Sequence, residues 1–302
     1  YEISLGLVGS EMCIRDRSYI FWSVPVTRGV GRRIRILVFD ENTDRIMGLI
    51  GLCDPIFNLR VRDKWIGWDM ETKRLRLWHI MHAFILGAIP PYNMLSCGRL
   101  ISLICISQEI RELFRQKYEG RRSSILGIVR KPHLVLVTTT TAYGRSRMLD
   151  ELCYGSDCYW YFLGFTNGYN PIVFDGKIYE LARMVLKIHN DPELGKHAFR
   201  YNSVSSGPNY KMRVLRRALY YIGFNDSIIK LGIKRGVYAA KLARNAKEFL
   251  RGETETPIFY ENRTVETLTE FFKDRWLFPQ VKSYLQRARK FSLDRYLTAI
   301  QN

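Results

Sequence analysis

Eight residues, Leu134–Thr141 (LVLVTTTT), constrain the fold more than any other stretch. β-Branched side chains crowd a helix and sit well on a pleated surface, so the run reads as a strand. Arg32–Phe39 (RRIRILVF) alternates basic and apolar residues with the period of a half-buried strand. Ile46–Cys53 follows across the turn residues Asp40–Asp44, and together they predict a hairpin. Phe84–Ile89 predicts a short buried strand stopped by Pro90-Pro91, and Trp160–Thr166 another, closed by Asn167-Gly168. Helical patterns lie between them: Lys73–Ala83, a run capped by Asn93 and ending near Tyr118, Arg145–Cys153 and Lys177–Ile188. The expected fold class is α+β with a mixed central sheet.

After about Arg200 the character changes. Arg200–Arg251 holds twelve Lys/Arg against two acids, Asp226 and Glu248. The whole chain of 302 residues carries a net +18, so more than half of the surplus lies in this short region. Lys211–Ile222 and Lys234–Leu250 are helical in pattern. On the first, Arg213, Arg216, Arg217 and Tyr220 share one face, and Met212, Leu215, Leu219 and Ile222 fill the opposite stripe. Lys234, Tyr238, Lys241, Arg244 and Arg251 repeat the device. Arginine grips phosphate in bidentate fashion and tyrosine stacks on bases, so the two faces predict a nucleic-acid partner, DNA first. The longest apolar stretches, Ala83–Ile89 and Leu100–Ile106, are too short to span a bilayer, and no membrane partner is expected. Six scattered cysteines predict free thiols in a reducing, cytoplasmic setting. Glu253–Glu261 is an acidic connector, and Val265–Arg275 and Val281–Ile300 predict terminal helices. The expected division is an α+β domain over 18–199, a basic helical region over 200–252 and a C-terminal helical segment over 253–302.

Tyr1–Arg17 is set apart from this fold. Leu7–Arg17 (LVGSEMCIRDR) back-translates to the end of a sequencing-library adapter, read in frame, and Tyr1-Glu2-Ile3 fits its upstream end. The segment is therefore expected to be an adapter artefact, with the native chain entered at Ser18. Its deletion should leave the melting temperature unchanged within roughly 2 °C, less than a 1 kcal/mol loss produces in a domain of this size. A drop several times larger in a thermal melt would show that these residues pack as protein.

Several constellations could carry chemistry. Asp54, Asp63 and Asp69 cluster with Arg60 and Arg62; convergent carboxylates could hold Mg²⁺ or serve as a base, or could pair with the arginines and cap turns. His79 and His82 lack the intervening Glu and third ligand of a zinc hydrolase, and Cys153 and Cys158 lack a second pair, so no metal site is expected. No Ser-His-Asp or Cys-His order, nucleophile elbow, Walker or dinucleotide fingerprint is present. The order of a short strand, the Pro90-Pro91-Tyr92-Asn93 turn, a helix, a strand, a short helix and a further strand resembles the core of the GNAT acyltransferase fold. In that fold a helix N-terminus receives the pyrophosphate of acetyl-CoA. The resemblance implies a CoA-dependent acyltransferase as one alternative, with Tyr92, Asn93 and Arg145 around an anion-accepting cleft at the strand ends. Asn93–Arg99 (NMLSCGR) stands where the GNAT phosphate loop would be, without its glycine pattern.

Five strings, taken together, resemble the Druantia anti-phage system protein DruA family. They are RDKWIGWD (Arg62–Asp69), ILGAIPPYNMLSCGRL (Ile85–Leu100), TTTTAYGRS (Thr138–Ser146), LGFTNGY (Leu163–Tyr169) and GPNYKMRVLRRAL (Gly207–Leu219). The resemblance runs from about Gly31 to Gly252. It implies a role in bacterial defence against phage, beside a helicase-type partner, and supplies no agreed reaction and no cofactor. If chemistry occurs, the residues singled out are Asp63 and Asp69 as base or metal ligands, Tyr143 and Ser146 beside them, Trp68 nearby, and Arg145 as an anion clamp with Tyr92 and Asn93. The remaining alternative is a non-catalytic DNA-binding accessory of a mobile element.

Overall fold

A computed structural model describes residues 31–122, 127–154, 157–166, 176–192, 208–225 and 232–283. The chain forms two units by its contacts, one of 1–166 with 235–302 and one of 167–234.

The first unit is built on a six-stranded mixed sheet. β1 (Arg33–Asp40) and β2 (Arg45–Cys53) form the expected antiparallel hairpin, and β3 (Ile80–Ala88) pairs antiparallel with β2. β4 (Leu136–Thr140) runs parallel to β3, and β8 (Gly236–Lys241) sits antiparallel between β4 and β7 (Tyr161–Phe165). The order is β1-β2-β3-β4-β8-β7, so β7 is an edge. The parallel pairing covers only Ile80–Ala83 against Leu136–Thr139. Where it ends, β3 bears an extra residue, Phe84, opposite a register shift in β2, and goes on paired to β2 alone. β7 and β8 are neighbours in the sheet, and the second unit is inserted between them.

Side chains alternate across the sheet and make two main cores, with a smaller cluster of Leu37, Ile46, Leu49, Ile85 and Ile89 at the β1–β3 end. On one face Met81, Val137, Tyr238 and Ala240 pack with α3 (Gly98–Ile104), α4 (Gln108–Tyr118) and α9 (Val265–Phe272) around the fully buried Trp160. On the other, Ile80, Leu136 and Ala239 pack with Ile66 of α1 (Arg60–Ile66) and Phe249 and Leu250 of α8 (Ala246–Arg251). α2 (Met70–Arg76) lies beside α8.

Four expectations need correction. Lys73–Ala83 is not one helix: α2 ends at Arg76, a 3₁₀ turn covers Leu77–His79, and β3 begins at Ile80. The pull of the neighbouring strand wins here, since Val135 N donates to the His79 carbonyl at 3.0 Å. The helix from Asn93 to Tyr118 is broken into a 3₁₀ turn at Tyr92–Leu95, α3 and α4, with Ser96 left-handed at φ 61° and Ser107 capping α4. Lys234–Leu250 is the strand β8 followed by α8. Its lysines and Tyr238 satisfy a helical period, yet GVYAAK has the apolar content of a strand paired on both sides. Lastly, Cys153 and Cys158 form a disulfide across the hairpin of β5 (Cys153–Tyr154) and β6 (Asp157–Cys158), while Cys53, Cys97 and Cys105 are free thiols.

The second unit contains α6 (Gly176–Ile188) and α7 (Pro208–Tyr221). Val214, Leu215 and Ala218 of α7 pack on Ala182 and Leu186 of α6. Val281–Ile300 lies almost wholly outside the described residues.

Candidate functional site

The clustered aspartates are joints of the fold. Asp54 accepts from the Arg32 backbone N at 2.8 Å and from its Nε at 2.7 Å, tying the start of β1 to the end of β2. Asp63 lies between two buried cations. Its Oδ1 accepts from Arg62 Nε at 2.9 Å and Nη2 at 2.6 Å, and its Oδ2 from Lys73 Nζ at 3.0 Å. Arg62 is fully buried and also donates to the carbonyls of Ile56 and Phe57. Trp68 belongs to the same block, its ring 5.5 Å from the Arg62 guanidinium and its Nε1 donating to the Leu250 carbonyl. Asp69 caps α2, accepting from Thr72 N at 2.8 Å and Oγ1 at 2.6 Å. The Thr72 hydroxyl, then the Thr72 amide, hold the Asp69 carboxyl below the usual range. Both candidate acids are thus occupied by structural partners. Among the described residues, no group of three His, Cys, Asp or Glu is placed to hold a metal.

The loop after β4 brings several sequence candidates together. Ser146 Oγ caps the short helix α5 (Arg147–Asp150), accepting from Leu149 N at 3.4 Å. Its backbone N donates to the Tyr238 hydroxyl at 2.9 Å, and that hydroxyl donates to Asp150 Oδ1 at 2.9 Å. Arg145 holds the same carboxylate through Nε at 3.1 Å and Nη2 at 2.9 Å, with its guanidinium 4.4 Å from the Phe162 ring. Burial raises the Tyr238 hydroxyl above its ordinary value, so it is neutral at pH 7 and acts as a relay between Ser146 and Asp150. Arg145 keeps about half of its side chain in solvent, and Tyr143 beside it is 79% exposed. The loop therefore presents a cation and a ring over a rigid polar base. Among the described residues no base accepts from the Ser146 hydroxyl, whose oxygen accepts the cap bond from Leu149 N.

On the other face, where β3 and β4 are last paired, His82 Nδ1 meets Thr138 Oγ1 at 3.2 Å. Burial, and then the charges of Arg235 and Arg62, push the His82 imidazole down to about 4, so it is neutral at pH 7. Arg235 donates to the Thr141 carbonyl at 2.5 Å and to Thr140 Oγ1 at 3.0 Å, and burial lowers it. Tyr238, Asp150, Arg235 and His82 carry no local signal of a shared role. Tyr238 and Asp150 meet across 88 residues, a separation that spacing arguments cannot see.

Tyr92 and Asn93 lie elsewhere. The Tyr92 hydroxyl donates to Asp40 Oδ2 at 2.7 Å and meets Thr43 Oγ1 at 2.8 Å, so it braces the β1–β2 turn. Asn93 is exposed in the 3₁₀ turn and caps no helix, because α3 begins at Gly98. No hydrogen bond or ion pair among the described residues joins it to Arg145.

The basic candidates fall in both units. In the second, Arg213 and Arg217 are exposed on α7, Arg216 is half-buried and Tyr220 is 79% exposed. Arg217 also donates through Nε to Asp191 Oδ2 at 2.7 Å, a carboxylate with no exposed side-chain surface. Lys234 is exposed at the end of that unit. In the first unit, Lys241 closes β8 with its ammonium 5.1 Å from the Tyr161 ring, and exposed Arg244 follows it.

The family model described as Druantia protein DruA matches residues 12–252, a span that begins inside Leu7–Arg17. A Druantia protein DruA from Escherichia coli (strain UMEA 4076-1) is 34% identical over 259 residues, covering 86% of this chain and 63% of that protein. The chain thus spans less than two thirds of the length of this relative. No solved structure matches it.

Proposed function

We propose a function from the premise that this chain belongs to the Druantia protein DruA family: it is a component of a bacterial anti-phage defence system and acts there by binding nucleic acid. The observation that carries the second half is the docking of α7. Val214, Leu215 and Ala218 are buried against α6, which leaves Arg213, Arg217 and Tyr220 on the solvent side of the same helix. A helix anchored by one stripe and basic on the other suits a phosphate backbone. DNA as the strand bound, a helicase-type partner and a cytoplasmic setting extend the proposal on the strength of the family likeness. The mixed sheet supports a GNAT-like architecture, since β3 and β4 form a parallel pair connected through α3 and α4. Acyl-CoA transfer has less support, because α3 is a seven-residue helix without a side-chain cap.

The test is a salt titration. Arg213→Gln with Lys234→Gln removes two exposed cations and leaves the Arg217–Asp191 pair intact. On duplex DNA the double variant should bind more weakly on unrelated sequences, and its log–log salt slope should flatten by about two units if both residues touch phosphate. A folded double variant with unchanged affinity and slope would leave α7 a solvated basic face.

A further inference from the structure

At the end of β3 and β4 remote from Arg145 lies a group of cations that the proposed function does not use. The turn Leu77–His79 leads into β3 and Lys131-Pro132-His133 leads towards β4, and the two converge. His79 Nδ1 meets the His133 carbonyl at 2.9 Å, and Phe249 stands edge-on to both imidazoles, at 4.8 Å and 6.2 Å. The Arg76 guanidinium lies 5.0 Å from the Phe249 ring, and that of Arg32 lies 4.2 Å from the Trp78 ring, next to His79 in the chain. Arg130 completes the group, close enough to feel the charges of Arg32 and Arg76.

The three arginines are not equivalent. Arg32 is held by Asp54 and by the carbonyls of Trp78 and Ile80. Arg76 is paired at 2.5 Å with Glu255, whose side chain is 82% exposed. Among the described residues Arg130 has neither an acid nor a side-chain hydrogen-bond acceptor, and its Nη2 is buried. Burial, then the like charges of Arg32 and Arg76, pull the Arg130 guanidinium below its ordinary value. His79, pushed down to about 3 mainly by burial, stays neutral beside them. Buried donors are nearly always satisfied, and what a buried cationic donor beside two further guanidiniums lacks is an anion.

We propose that Arg130 and Arg76 form a phosphate-binding site at the start of β3 and β4, and that its ligand is a phosphodiester of a nucleic-acid strand. The guanidinium fork of Arg130 matches two phosphate oxygens, and the Arg76 partner Glu255 sits at the surface, where a phosphate can take its place. The identity of the ligand rests on the nucleic-acid reading above, whereas the need for an anion rests on Arg130 itself.

Arg130→Gln tests it, with Arg130→Lys as companion. Among the described residues the Arg130 side chain makes no hydrogen bond or ion pair, so both variants should fold, and the Gln variant should melt no lower than wild type. Millimolar inorganic phosphate should raise the melting temperature of wild type and not that of Arg130→Gln. Oligonucleotide affinity should fall about tenfold in Arg130→Gln, the scale of a lost charged hydrogen bond, and its salt slope should flatten by about 0.9. Arg130→Lys should keep the slope and lose part of the affinity. Equal protection of wild type and Arg130→Gln by phosphate overturns the site. So does an oligonucleotide bound by both with the same affinity and slope. Wild type that binds no oligonucleotide at all defeats the wider nucleic-acid reading, and the ligand assignment with it.

Discussion

Asp63→Ala should lower the unfolding free energy by about 3–5 kcal/mol, the usual result of leaving a buried charge without its partner. The reason is the position of Asp63 between Arg62, whose side chain is wholly buried, and Lys73, whose side chain is 6% exposed. Removing the carboxylate leaves two cations facing each other away from water. The carbonyls of Ile56 and Phe57 and the Asn58 side chain satisfy some of their hydrogens and neutralise neither. The same substitution combined with Arg62→Met should be less damaging than Asp63→Ala alone, since the stranded charge is then replaced by apolar volume. Urea unfolding of wild type and the two variants measures this directly. A loss below about 1 kcal/mol in the single variant would mean that the cluster is open to solvent, and would restore Asp63 as a candidate acid–base residue.

Acidification should unfold the protein in a window set by two histidines. The imidazoles of His79 and His82 are pushed down to about 3 and about 4, in both cases mainly by burial. The unfolded chain takes up a proton on each near pH 6.5, while the folded state refuses it. Stability is therefore complete above pH 6.5 and falls as the pH drops, until the folded-state values are reached. The slope is about 1.4 kcal/mol per pH unit for each histidine, so both together contribute nearly 3 kcal/mol per unit around pH 5. Chemical denaturation at pH 7, 6 and 5 reads the slope. His82→Gln should remove about half of it, because an amide can meet the Thr138 hydroxyl without titrating. A flat profile from pH 6.5 to 5 would show that water reaches both rings.

The sheet was legible in the sequence wherever a strand could be recognised from itself. RRIRILVF shows its period, LVLVTTTT its branching, and Trp160–Thr166 its turn. Tyr238 shows where that logic fails. Lys234, Tyr238 and Lys241 fit a helix by spacing, and only the strands on either side make Gly236–Lys241 a strand. His79 and His82 fall inside the helical pattern of Lys73–Ala83 and show the same failure, since a 3₁₀ turn and β3 hold them. Of the candidate site, Arg145 and Ser146 were visible because they are adjacent and follow a strand. Their anchors, Asp150 and Tyr238, were not, since a hydroxyl that arrives from a remote strand leaves no trace in local spacing. The aspartates allowed two readings in the sequence, a metal or acid–base site and a set of ion pairs and caps, and their partners are those of the second. Asp63 and Asp69 have the residue types of a metal site, but each found a nearer partner, the one in Arg62 and Lys73, the other in Thr72.

The insertion between β7 and β8 has an entropic consequence. Thr166 N donates to the Arg235 carbonyl at 2.9 Å, and Arg235 N donates to Thr166 Oγ1 at 3.2 Å, so the strands are clasped where the chain leaves the sheet and returns. Closing a flexible loop as long as Asn167–Lys234 costs about 2–3 kcal/mol more than closing a tight turn. Whatever order the inserted segment acquires shortens the effective loop and lowers that cost. Among the described residues β7 has a neighbour on one side only, and its attachment is thereby tied to how compactly the inserted chain holds its own two ends.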